Sequence, residues 1–136
     1  MPALNRYVTA QAAVYDGAVR EIRAGRKTGH WMWFIFPQIA GLGRSAMTQT
    51  YAITSLIEAR AYLAHPLLGP RLRACVAAIP DRPATEVFGT VDAMKLRSSL
   101  TLFAMAGDPD EPFGAAIDRL FGGVRDEATL QRIGVA

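Results

Sequence analysis

With 136 residues, 51% of them hydrophobic and 20% charged, the chain is long enough to bury a core without staples and too apolar to stay disordered. A formal net charge of +3 is no nucleic-acid signature, and no Lys/Arg run marks a basic arm. The lone cysteine, Cys75, excludes an internal disulfide, His30 and His65 lie too far apart to nucleate a metal cluster, and no apolar run reaches membrane length. These features predict one globular domain over residues 1–136, cytoplasmic and without metal or cofactor. The fold class expected is mainly α, a bundle of about six or seven helices with at most a minor strand component.

In chain order, the first helix is predicted from about Arg6 to Ala24. Val8, Ala12, Tyr15, Val19 and Ile22 recur at spacings of four and three, which predicts the buried stripe. Asn5 is the expected N-cap, and Gly25 suits a left-handed C-terminal position. Trp31 to Phe36 is apolar at every position, so periodicity does not decide between strand and helix, and Pro37 ends the element either way. Gly41-Leu42-Gly43-Arg44-Ser45 reads as a tight loop whose serine caps a short helix. Ser55-Leu56-Ile57-Glu58 fits a capping box opening a helix that stops near His65-Pro66. Another helix is expected from Pro66 or Pro70 to Ile79, with Leu72, Val76 and Ile79 inward and Cys75 as a buried, inert thiol. Pro80 and Pro83 mark a loop. A helix from about Val91 to Ala106 carries Met94, Leu96, Leu100 and Phe103, the last three forming its apolar stripe. Phe113, Ile117, Leu120 and Phe121 predict a further helix closed by Gly122-Gly123, and Asp126 caps the last.

Three segments are candidates for chemistry. The first is the aromatic run, where Trp31 and Trp33 stand within three residues of His30 and close to Arg26 and Lys27. Indole N–H groups need partners when buried, and stacked indoles beside cations suit a ring-bearing anion. The second is Gly41-x-Gly43-x-Ser45, read either as a plain tight turn or as backbone N–H groups offered to an anion. The third is Lys95-Leu96-Arg97-Ser98-Ser99, where helical spacing puts Lys95, Ser98 and Ser99 on one polar face. Against 13 arginines the chain has two lysines, Lys27 and Lys95, and both fall in these segments. Glu21, Asp92 and Asp126 are further acids, the last two explained by positions at helix starts.

The chain resembles the Domain of Unknown Function 1810 family. The residues that carry the resemblance are Arg23-Ala24-Gly25-Arg26-Lys27, the block from His30 to Gln38, Gly41-Leu42-Gly43, Tyr51-Ala52-Ile53, Glu58 to Pro66, Leu68-Gly69, Lys95 to Phe103, and Gly123 with Asp126 and Thr129. The resemblance implies a mainly helical single domain and no established activity. Glu58-Ala59, then Gly69 with Arg71, then Met94-Lys95 is also similar to the order of elements in the NADAR family, proposed to act on ADP-ribose-like nucleotides and N-glycosidic bonds.

The leading functional expectation is a domain that binds, and as an enzyme would hydrolyse, a phosphorylated ring-bearing small molecule such as a nucleotide or ADP-ribose derivative. Trp31 and Trp33 would stack the ring, with Arg26, Lys27, Gly41, Gly43, Arg97 and Ser98 as further binding residues. His30 or Glu58 would activate water, and Lys95 would neutralise developing charge. The alternative is a non-enzymatic protein-interaction module whose aromatic block is core. Nucleic acid and membrane are not expected partners.

Overall fold

The computed structural model describes residues 4–134. Among the described residues the chain forms nine helices, five long and four of six residues or fewer. Helix α1 (Asn5–Ala24) ends where Gly25 takes the left-handed φ of 76°. Its buried residues are Tyr7, Gln11, Ala18 and Ile22, so of the predicted stripe Ile22 alone is fully buried. Ala12 is exposed, while Val8, Tyr15 and Val19 are half-buried. The offset has a polar cause. Gln11 is buried because its amide donates to Phe34 O (2.7 Å) and to the Tyr62 hydroxyl (3.1 Å), so a polar residue outside the predicted stripe is satisfied in the core. Asn5 lies inside the first turn and makes no capping bond.

The aromatic run folds as a single helical turn, α2 (Met32–Ile35), before Pro37. Helix α3 (Ala46–Thr50) is capped by Ser45, whose hydroxyl accepts from Thr48 N (3.1 Å). Helix α4 (Leu56–Ala64) starts with half a capping box. Ser55 accepts from Glu58 N, but the Glu58 carboxylate reaches Thr54 N (3.0 Å), one residue earlier than the motif prescribes. Helix α5 (Leu68–Ala78) holds Pro70 in its first turn. Helix α6 (Ala84–Phe88) is a single turn within the segment between Pro83 and Val91, where no helix was predicted. Helices α7 (Thr90–Ala106), α8 (Pro112–Phe121) and α9 (Glu127–Arg132) follow near their predicted bounds.

Helix α7 packs against α4, α6, α8 and α9, and α1 lies on α2 and α5. A chain of rings ties these layers together. Tyr7 meets Tyr62 edge-on at 5.2 Å, Tyr62 meets Phe103 at 5.3 Å, and Phe103 meets Phe113 at 5.8 Å. Burial pushes the Cys75 thiol up to about 12, consistent with an inert core residue. The strand component among the described residues is one parallel bridge, Ile39 to Ile53. No helix among these residues is long and apolar enough to cross a membrane.

Met94 is 59% exposed, because Ala93 takes the inward position three residues before Leu96 and turns Met94 away. Ser98 and Ser99 are buried, so these two members of the predicted polar face turn inward along with Thr101, while Lys95 stays half-buried.

Candidate functional site

The segment after α1 is organised by one carboxylate. Glu21 Oε1 accepts from Thr28 N (2.8 Å), Gly29 N (2.8 Å) and the Trp31 indole N–H (2.9 Å). Burial opposes ionisation, but the donors from Gly29, Thr28 and Trp31 outweigh it and hold the carboxyl down to about 2. With Trp31 fixed in the core, its ring packs on Phe36 and edge-on to Phe88. Lys27 N donates to Val87 O (2.7 Å), tying the same segment to α6.

This knot aims Lys27 inward. Its side chain is 7% exposed, its ammonium donates to Gly29 O (2.6 Å), and it lies 5.0 Å from the centre of the Trp31 ring. It pairs with Asp92 Oδ2 at 2.7 Å, while Lys95 Nζ stands 3.7 Å from Asp92 Oδ1. Both lysines of the chain therefore share one carboxylate. The shorter contact matches the charge of Asp92 to Lys27, and Lys95 is left as the net positive charge of the triad. Lys95 also lies 5.2 Å from the centre of the Trp33 ring.

Lys95 lines a cleft of about 290 Å³ between α7, the 38–48 segment and the start of α9. Gln38, Gly43, Thr48, Ser98 and Asp126 supply its other polar or backbone walls, and Leu42, Val91 and Met94 its apolar ones. A narrow recess shares Gln38, Thr48 and Lys95 with the cleft and is walled by Trp33. The Trp33 indole N–H is buried and has no hydrogen-bond partner among the described residues. The 38–48 wall is held in place by the bridge, where Ile53 N donates to Gln38 O and Ala40 N to Ile53 O, each at 2.8 Å.

The predicted site residues divide accordingly. Trp33, Gly43, Lys95 and Ser98 line the cleft or its recess. Lys27 reaches it only through Asp92. Trp31 and His30 line a separate groove of about 220 Å³ with Glu21 and Gly29, and Arg26 is exposed beyond them. Arg97 turns to α8, with its guanidinium 6.0 Å from the Phe121 ring centre. Glu58 is buried at the start of α4, paired with Arg6 at 3.3 Å, and lines neither cleft nor recess. Gly41 has a packing role. Its φ is 97°, its carbonyl accepts from Arg132 (3.1 Å), and a Cβ there would lie 2.6 Å from the Arg132 guanidinium carbon. At Gly43 a Cβ would lie 2.5 Å from Thr48 Cγ2.

Sequence reasoning missed Gln38, Thr48, Val91 and Met94 as cleft residues and treated Asp92 and Asp126 as caps. For Asp92 a local signal existed, since it precedes Lys95 by three residues on one helix face. For Asp126 none did, because its partner Ser98 is 28 residues away.

The family model described as protein of unknown function (DUF1810) matches residues 2–133. The chain is also similar to the conserved hypothetical protein Rv1873 from Mycobacterium tuberculosis, known from a crystal structure, with 49% identity and a TM-score of 0.93. That likeness covers 98% of this chain and 97% of the other. No curated protein matches.

Proposed function

On the premise that this chain belongs to the DUF1810 family, we propose that it binds a small, ring-bearing anion, such as a nucleotide, in the cleft at Lys95. The observation that carries this reading is Lys95, the one lysine whose charge is not fully matched, set in the wall of the cleft and 5.2 Å from the centre of the Trp33 ring. Exposed Val91 and Met94 offer apolar cover to a ring, and Gln38 offers an amide with no partner among the described residues. The reading is one of binding. His30 and Glu58, expected to activate water, stand outside the cleft.

Thermal-shift measurements and calorimetry with AMP, ribose 5-phosphate and inorganic phosphate test it. Binding should raise the unfolding temperature with concentration. Lys95→Met should weaken it by roughly 10–150-fold, the equivalent of losing one charge-assisted contact of about 1.5–3 kcal/mol. No response to any of the three probes at millimolar concentration would refute the reading.

A second reading, the interaction module, draws on the apolar lip of the same cleft, where Val91 is 66% exposed beside Met94. It also fits the burial of Trp31, Met32, Ile35 and Phe36 as core. Retention of anion binding by Val91→Ser and Met94→Ser, with loss of a captured protein partner, would favour it.

A further inference from the structure

The cleft carries opposite charges that do not meet. Lys95 and Asp126 both line it, yet no ion pair of 4 Å or less joins them. Each is held by other groups. Lys95 is held by Asp92 and the Trp33 ring. Asp126 is held from three sides through one oxygen, because Oδ2 accepts from Thr129 N (3.0 Å) and the Thr129 hydroxyl and lies 3.0 Å from Ser98 Oγ. Its backbone is fixed as well, with Asp126 N donating to Thr101 Oγ1 at 3.0 Å.

Helix capping needs only Oδ2. The other oxygen, Oδ1, accepts no hydrogen bond among the described residues, although an ionised carboxylate has acceptor sites on both oxygens. No lysine or arginine among them forms an ion pair with Asp126. A carboxylate placed this way repels a second anionic group and accepts O–H donors.

We propose, building on the binding reading above, that Asp126 Oδ1 is a second anchor of the cleft and accepts hydroxyl groups of the ligand. The ligand class is then a hydroxylated phosphate, namely a pentose phosphate with or without a base. Its anionic group sits at Lys95, and its hydroxyls sit at Asp126. The volume of about 290 Å³ fits this class. It lies just below the ~300–1,000 Å³ of small-molecule sites, and so favours one sugar and one phosphate over a dinucleotide.

Asp126→Asn tests the anchor while keeping the cap, because asparagine is as good an N-cap as aspartate. The donors around Oδ2 require the amide oxygen there. The amide NH₂ therefore replaces Oδ1, turning an acceptor into a donor. Asp126→Ser keeps a capping oxygen and removes the second oxygen altogether. Calorimetry on wild type and both variants, with denaturant midpoints confirming that they fold, should use four probes. These are AMP, ribose 5-phosphate, inorganic phosphate and O-phosphoethanolamine.

Both variants are expected to weaken AMP and ribose 5-phosphate by about tenfold or more, and to leave inorganic phosphate unchanged or slightly tighter. If Lys95→Met weakens every probe but neither Asp126 variant weakens the two pentose phosphates, Asp126 is only a cap, and the binding reading stands without this anchor. If the Asp126 variants weaken O-phosphoethanolamine alone, the cleft selects an ammonium and the hydroxyl assignment is wrong. If wild type binds none of the four, both the binding reading and the anchor are lost.

Discussion

Two tryptophans two residues apart have opposite fates. Trp31 is 3% exposed, its indole N–H bonded to Glu21, and its ring packed into the α1–α6 side of the core. Trp33 is half-buried, with its N–H facing no acceptor and its ring beneath Lys95 at the edge of a cleft. The local sequence is nearly the same for both. What separates them is a carboxylate contributed by α1, ten residues before Trp31. A satisfied polar group builds structure, and an unsatisfied one beside a charge marks a place that can gain by binding.

The largest effect should come from dissolving the satisfied side. Glu21→Ala removes the acceptor of three N–H groups and should destabilise the fold by roughly 3–5 kcal/mol, read as a fall in denaturant midpoint. An unchanged midpoint would erase the distinction between the two sides. A sharper version makes one substitution at both positions. Trp31→Phe strands part of the Glu21 knot and opens a small void, at a cost of about 2–3 kcal/mol. Trp33→Phe removes an unpaired donor and should leave stability within about 1 kcal/mol of wild type, while weakening anion binding. Equal losses of stability at the two sites would contradict the contrast.

Acid tests the same carboxylate. Glu21 drops from its ordinary 4.5 to about 2 in the folded state. Its contribution is therefore complete above pH 4.5 and lost as pH falls through about 2. Glu21→Gln should be less stable than wild type at neutral pH, and the gap should close towards pH 2. A gap that is flat across this range would mean the carboxylate charge is not what Thr28, Gly29 and Trp31 require.

The smallest effects concern the cleft side. Asp92→Asn should free Lys95 further and tighten phosphate binding by about two- to fivefold, as expected for one partly exposed pair. Lys27→Met should do the reverse, because Asp92 would then turn its whole charge on Lys95. If Lys27 acts only through Asp92, the double variant should bind like Asp92→Asn alone. A loss on Lys27→Met as large in the Asp92→Asn background as in wild type would instead place Lys27 in direct contact with the anion.

Where an element is specified by neighbours in the chain, the sequence is readable. The glycine that ends α1, the Ser55 cap and the Phe113 to Phe121 helix all follow from spacings of a few residues. The inner face of α1 was not readable, because Gln11 is buried by acceptors 23 and 51 residues away. The candidate site behaves the same way. Lys95, Ser98, Trp33 and Gly43 stood out by composition or local motif and line one cleft or its recess. His30, Glu58, Arg26 and Arg97 stood out equally and lie elsewhere, since local chemistry does not say which helix a side chain will meet. Asp126 looked fully explained by its cap, and only the folded chain reveals that the cap leaves one oxygen unused.

The two lysines on one carboxylate also govern how the protein can be handled. With Lys27 sealed at 7% exposure, Lys95 is the side-chain amine open to reagents. Dyes, biotin tags and activated sensor surfaces that couple through side-chain amines would collect at the mouth of the cleft and turn it towards the support. An immobilised sample would then report silence from a protein whose ligand had been shut out by the tether. Coupling through a cysteine introduced on the exposed face of α1, at Ala13 for example, leaves the cleft open to solution.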